Sequence, residues 1–305
     1  MIRMTPNTVP LSAALLAAWL APTAQASMLF WMNDTTDRVF SSDSIDGSDE
    51  QLIRDFRATT GLTNSDFNMN SIAVDGDRLY IAEDKNDRIF WSEIDNVANR
   101  SNLVRLDAVF GNANYRPNDL AVDADYIFWT DGVTQTIYRA DIDGTNAQVI
   151  GLARSGFSPG TFISWDGLNT DGLTLAGEKV YWTSSNNDAV YIMNRDGSDF
   201  DKLINMDSAL GSRNYNPQDI TNDGSSLFWA DTDEIYRANI DGTGVELLID
   251  LDDLGVGTGV ARPRRLAEDL LVPLAEFACG HVLERGEFLL DVPSRLRHHE
   301  PPSRG

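Results

Sequence analysis

Residues 115–123 read Tyr115-Arg116-Pro117-Asn118-Asp119-Leu120-Ala121-Val122-Asp123. Phe128-Trp129-Thr130-Asp131 follows, and then Ile137-Tyr138-Arg139-Ala140-Asp141-Ile142-Asp143-Gly144. Each piece is short and rich in apolar, aromatic and β-branched residues, which suits a strand. Asp-Gly tolerates positive φ and is expected to join two antiparallel strands tightly. A unit of strands separated by turns is the reading.

Outward from this stretch the same unit returns. The aromatic strand recurs as Phe30-Trp31-Met32-Asn33, Tyr80-Ile81-Ala82-Glu83, Tyr181-Trp182-Thr183-Ser184 and Phe228-Trp229-Ala230-Asp231. Successive copies are spaced by 50, 48, 53 and 47 residues, and the second of them lacks the Trp. A second alternation follows each, for example Ala189-Val190-Tyr191 and Glu234-Ile235-Tyr236, and then a turn such as Arg195-Asp196-Gly197 or Ile240-Asp241-Gly242. A short apolar strand closes most units, as in Gln148-Val149-Ile150. Ahead of the aromatic strand lies another, beginning near Ser71, Asp119, Gly172 and Asp219, whose small residues suit a crowded centre. Periods of roughly 40–50 residues with four strands each are those of propeller blades. No convincing helical period precedes residue 250, so almost no helix is expected there.

These residues resemble the YWTD propellers, the class B repeats of low-density-lipoprotein-receptor-like proteins. The resemblance runs over about residues 28–250 and rests on the 115–144 stretch and its copies. It implies an all-β ring of blades about a central channel, with six the usual number in the family; five four-stranded blades are recognisable here. The first copy has no repeat strand before it. Pro263-x-x-Leu266-Ala267-x-Asp269 matches Pro117-x-x-Leu120-Ala121-x-Asp123, so residues 263–269 are a candidate closing strand.

The chain divides into residues 1–26, 27–260 and 261–305. Arg3, the apolar run Leu11–Leu20 and Ala24-Gln25-Ala26 have the order of a cleavable export signal. The run is too short to span a bilayer, and no other stretch is long enough, so the expected product is secreted or periplasmic with no integral membrane segment after cleavage. Cys279 is the sole cysteine, which excludes an intrachain disulfide. Residues 261–305 hold all three histidines and seven arginines but no Lys, and the Asp-Gly turns stop there. A degenerate sixth blade, a sorting or anchoring segment, and a changed reading frame all fit that shift.

Net charge is −23, and the acidity belongs to the repeats. Such a field disfavours nucleic acid and anionic membranes. Catalytic patterns are absent or misplaced. Gly156-Phe157-Ser158-Pro159-Gly160 has the letters of a nucleophile elbow but falls between strands rather than between a strand and a helix. The repeats contain no His, the commonest general base. The acids of the Asp-Gly turns fail the spacing of a calcium loop and read as turn residues. Asp131 and Asp231 are expected to hydrogen-bond backbone and lock blades together.

The candidate site is the set of loops entering the innermost strands, which should cluster at one mouth of the channel. Asn70, Tyr115, Arg116, Asn118, Asp119, Trp165, Asp166, Tyr215, Asn216, Gln218 and Asp219 are its candidate ligand-binding residues. Aromatic groups would supply rigid contact area, and amides and acids hydrogen bonds. The expected function is non-enzymatic binding of an extracytoplasmic protein, peptide or glycan, with no catalytic residues and no cofactor. The alternative is a gluconolactonase-like hydrolase or lyase holding a divalent cation such as calcium, with Asp119 and Asp219 among the ligands.

Overall fold

The computed structural model describes residues 14–19, 28–33, 38–42, 51–56, 68–94, 100–111, 114–152, 169–232 and 234–250. Its strands form five four-stranded antiparallel sheets, each in simple up-and-down order. The first comprises β1 (Ala14–Trp19), β2 (Met28–Asn33), β3 (Arg38–Ser42) and β4 (Gln51–Asp55). The second comprises β5 (Met69–Asp75), β6 (Arg78–Glu83), β7 (Arg88–Glu93) and β8 (Arg100–Arg105). The third comprises β9 (Pro117–Val122), β10 (Tyr126–Asp131), β11 (Thr136–Asp141) and β12 (Gln148–Leu152). The fourth comprises β13 (Leu173–Ala176), β14 (Lys179–Ser184), β15 (Ala189–Asn194) and β16 (Asp201–Asn205). The fifth comprises β17 (Pro217–Asn222), β18 (Ser226–Asp231), β19 (Glu234–Asn239) and β20 (Glu246–Asp250). Inner strands pack on inner strands, β1 against β5, β5 against β9, β9 against β13 and β13 against β17, so the sheets fan radially as propeller blades.

Four sheets, from β5 to β20, are drawn wholly from the repeat. That is one fewer than the five repeat-built blades expected. The first sheet takes only β2, β3 and β4 from its repeat copy. Its inner strand is β1, which falls within the apolar stretch read as an export signal, where the sequence leads one to expect no strand. Cleavage after Ala26 would remove β1 and leave β2 as the inner edge of that sheet. Residues 263–269, and the whole of 261–305, lie outside the described residues.

Among the described residues the complete helical elements are two single turns, α1 (Leu106–Phe110) and α2 (Met206–Leu210), and one 3₁₀ turn at Ser185–Asn187. Gly111 and Gly211 end α1 and α2 with φ of 98° and 96°. Among the described residues no helix is long and apolar enough to cross a membrane.

The aromatic dipeptide explains the packing. Neighbouring residues of a strand point to opposite faces. Phe128 therefore joins the core shared with the following blade, beside Trp182 and Tyr191. Trp129 joins the core shared with the preceding blade, beside Tyr80 and Ile89. Tyr181 and Trp182 repeat this division, Tyr181 facing forward to Trp229 and Tyr236. Each Trp stacks on the Tyr of the adjacent strand: Trp129 on Tyr138 at 5.3 Å, Trp182 on Tyr191 at 5.5 Å and Trp229 on Tyr236 at 5.7 Å. Ile81 fills the Trp place in the second blade, opposite Phe30 and Met32 of the first sheet.

The Asp-Gly turns are wider than the expected two-residue hairpin. β11 ends at Asp141 and β12 starts at Gln148. Positive φ falls on Gly144 and Asn146, not on Asp143, whose carboxylate accepts the Thr145 N–H and Oγ–H instead. The glycine serves blade packing. A Cβ on Gly144 would lie 2.3 Å from the Leu103 carbonyl oxygen of the preceding blade, and one on Gly197 would lie 2.0 Å from that of Ile150. Gly177 also has positive φ, 54°, but faces open space.

Gly197→Ala is expected to lose more than about 2 kcal/mol, since left-handed strain adds to a backbone clash, whereas Gly177→Ala should lose only about 1 kcal/mol from the strain. Urea midpoints of the two variants check this. Burial also pushes the Tyr191 and Tyr236 hydroxyls up to about 12, the Tyr236 shift being opposed by Arg213. An unfolded Tyr ionises near its ordinary value of 10.0, so the stability from keeping these phenols neutral is complete below that pH. It should be lost as pH climbs to about 12. Phenolate absorbance appearing together with loss of ellipticity, rather than before it, is the expected record.

Candidate functional site

Three of the four inner strands drawn from the repeat, β5, β9 and β17, enter through a β-bulge. Met69 pairs with Glu83 and Ser71 with Ala82, leaving Asn70 unpaired between them. Pro117 pairs with Asp131, and Leu120 with Trp129, so the register shifts across Asn118. Gln218 is skipped between Pro217 and Asp219 in the same way. In the fourth blade Asp171 occupies this place, with Gly172 bonded to Thr183. A bulge bends a strand and re-aims a side chain. Here it sets Asn70, Asn118 and Gln218 in corresponding places at one end of their inner strands, with Asp171 in the equivalent position before β13, and all four are partly buried.

The fourth residue of each aromatic motif holds this entry in place. Glu83 Oε1 accepts the Asn68 N–H at 3.3 Å, Asp131 Oδ2 that of Arg116 at 2.6 Å, Ser184 Oγ that of Asn169 at 3.2 Å and Asp231 Oδ2 that of Asn216 at 3.0 Å. Asp131 Oδ1 also accepts from the N–H groups of Val133 and Thr134. These carboxylates bond backbone of their own blade and pin the entry, while the Asp131 carbonyl accepts from Thr170 Oγ1 of the fourth blade at 3.4 Å. Glu83 is fully buried, and burial raises its pKa although Asn86, Arg88 and the Asn68 N–H oppose the shift. The motif Thr serves the bulge: Thr130 Oγ1 accepts the Asp119 N–H at 3.1 Å and donates to the Asp171 carbonyl at 3.0 Å, and Thr183 Oγ1 accepts the Gly172 N–H at 3.0 Å.

Asp119 links blades. It is 4% exposed. Its Oδ1 accepts from Ser71 Oγ of the second blade at 3.0 Å, and its Oδ2 accepts from the Leu173 N–H of the fourth at 2.8 Å. Asp219 is equally buried, at 4%. A Cβ on Gly172 would lie 2.6 Å from its Cα, so the bare glycine lets β13 and β17 approach. Outside this buried layer the bulge amides form a hoop: Asn70 Nδ2 donates to the Pro117 carbonyl at 2.9 Å and Asn118 Nδ2 to the Asp171 carbonyl at 3.3 Å. Gln218 Nε2 folds back to Asn216 Oδ1 at 2.9 Å. Burial raises the Asp171 pKa, opposed by the Ser185 N–H and hydroxyl and by the positive charge of Arg116.

Asn70, Asn118, Gln218, Arg116 and Asn216 therefore share one mouth. Tyr115 and Tyr215 do not reach it: they are 1% and 3% exposed and sit between blades. Tyr115 packs with Phe110 and Tyr138, while Tyr215 packs against Tyr236 and donates its hydroxyl hydrogen to the Gly211 carbonyl. Trp165 and Asp166 lie outside the described residues. Asp171 belongs to the mouth and was not among the candidates. Counting back two positions from the first apolar inner-strand residue, Leu173 or Leu120, gives Asp171 and Asn118 alike, a signal present in the sequence. Among the described residues no group of three or more His, Cys, Asp or Glu gathers closely enough to hold a metal ion.

No family model and no curated protein matches the chain. Solved structures do. A chain of a nidogen/laminin complex is similar at 19% identity and a TM-score of 0.56, covering 79% of this chain and 81% of that one. A catalytically inactive virginiamycin B lyase from Staphylococcus aureus, with quinupristin, is similar at 13% identity and 0.54, covering 80% and 71%. A luciferin-regenerating enzyme gives 13% and 0.54, covering 78% and 75%. These likenesses establish the propeller fold.

Asp119→Ala removes acceptors for two buried donors on two neighbouring blades and should cost about 3 kcal/mol. Asn216→Ala, at the exposed rim, should cost less than about 0.5 kcal/mol. Thermal or urea unfolding of both variants separates the two effects.

Proposed function

We propose that this chain is an exported, non-enzymatic binding propeller of YWTD type, which receives a protein, peptide or glycan ligand at the inner-strand mouth. One observation carries the reading. A bulge repeated in three blades, with Asp171 in the corresponding place of a fourth, spends its extra residue on a hydrogen-bonding side chain near the axis, and the motif residues Glu83, Asp131, Ser184 and Asp231 are committed to fixing the entry there. A fold needs no such device to bury its core, and bulges that re-aim side chains commonly stand at sites. The mouth offers donors and acceptors on a rigid frame, which suits recognition by hydrogen bonds. The aromatic rings of Tyr115 and Tyr215 are used up between blades, so amides and charges rather than stacking would give specificity. The nidogen/laminin chain, of the same fold, comes from a complex between two proteins. Export follows from the order of residues 1–26, and neither cofactor nor catalytic residue enters the reading.

Panning the purified chain against a random dodecapeptide phage library and a glycan array should yield ligands that compete with one another. The double variant Asn216→Ala/Gln218→Ala should weaken them about tenfold or more. Glu178→Ala, in the turn at the other end of β13, should leave them unchanged. Ligands insensitive to the mouth variant, or none at all, would overturn the assignment.

A further inference from the structure

At the residue two places before the bulge, the blades differ in a telling way. Asn68 Nδ2 pairs with Asp84 Oδ2 at 2.9 Å, and Asn169 Nδ2 with Ser185 Oγ at 3.0 Å. In each case the partner directly follows the motif residue that holds the entry. The third blade has Arg116 and Gly132 at these two positions. The Arg116 backbone is fixed on both sides: its N–H goes to Asp131 Oδ2 at 2.6 Å and its carbonyl accepts the Gly132 N–H at 2.9 Å. Its side chain is exposed and makes no hydrogen bond or ion pair with any described residue. The guanidinium lies over Gly132, where a Cβ would stand 2.7 Å from Nη2 and 2.9 Å from Nε. Gly132 is thus a bare platform that keeps the fork at the rim. Asp171 feels the charge of Arg116 but forms no ion pair with it, and a guanidinium left without an ion pair is a conspicuous choice in a chain with 47 acidic and 24 basic residues.

Resting on the mouth-binding reading above, we infer that Arg116, seated on Gly132, reads a carboxylate side chain, Asp or Glu, of a peptide ligand. The planar fork matches a carboxylate with two parallel N–H···O bonds, which a Lys cannot reproduce. One guanidinium neutralises one charge. Asp171, across the mouth, repels anything more highly charged, and the overall negative field disfavours polyanions. Asn118, on the inner strand that Arg116 leads into, and Asn70, on the preceding one, suit the backbone amides flanking such an acid.

The dodecapeptides enriched on the wild-type chain are the probe. They should share one Asp or Glu. Changing that acid to its amide should weaken binding to wild type about 10- to 100-fold. Arg116→Met should bind the acid and amide forms alike, at the weakened level, with a melting temperature little changed, because the Arg116 side chain makes no hydrogen bond or ion pair among the described residues. Arg116→Lys should recover only part of the preference, and Gly132→Ala, by lifting the fork, should reduce it with Arg116 still present. Enriched peptides without a common acid, or an acid preference that survives in Arg116→Met, would overturn the inference while leaving mouth binding standing. Failure to enrich any peptide removes the binding reading and the inference together.

Discussion

Everything in this molecule depends on a strand buried on both faces. Because Phe128 and Trp129 are adjacent, one ring must face the following blade and the other the preceding one. A sheet built this way cannot satisfy its apolar surface alone. It needs a neighbour on each side, and each neighbour has the same need, so the blades stack about an axis. Fully burying Trp129, Trp182 and Trp229 supplies the dominant stabilisation, at roughly 3–5 kcal/mol for each if truncated to Ala. The Trp–Tyr stacks fix the register in which β10 meets β11, β14 meets β15 and β18 meets β19.

Radial stacking brings four inner strands together where there is little room, and that crowding sets the chemistry at the axis. Gly172 has no side chain because Asp219 occupies the space. Asp119 is buried because it bridges donors from two other blades. The bulge in three of the strands relieves the crowding by turning one residue of each toward the mouth, and the hydroxyl of Thr130 takes up the Asp119 N–H that the bulge would otherwise strand, as that of Thr183 takes up the Gly172 N–H. Structure and recognition thus divide by layer: acids below the bulge hold blades together, while amides, Asp171 and Arg116 at and above it face outward.

Much of this was legible in the chain, and the limits are instructive. The recurrence of Tyr181-Trp182 and Phe228-Trp229 at blade spacing, with Asp-Gly after each, announced sheet, order and radial packing. Asn70, Asn118 and Gln218 stand in corresponding places at the same end of their inner strands. Tyr115 and Tyr215, read as ligand contacts because they flank the loop, instead seal the cores between blades: a ring beside a turn looks the same in sequence whether it points in or out. Asp131 meets the fourth blade through its backbone carbonyl, which accepts from Thr170 Oγ1, whereas the Asp119 carboxylate itself reaches donors on two other blades. Both are strand acids with polar neighbours, and only the radial placement of blades tells which carboxylate faces a foreign strand. The inner strand of the first sheet was missed because Ala14–Trp19 has the composition of a leader and carries none of the repeat's marks.

By itself the sequence determined what repeats: strand period, turn positions, the two-faced aromatic pair and the acidic character, all local or periodic properties written in residue order. Tertiary structure decided what each repeated residue does, because blade neighbours lie about fifty residues apart and their meeting is set by packing around the axis. Gly132 shows the difference. In the sequence it is one more turn glycine; in the ring it is the empty place on which Arg116 rests.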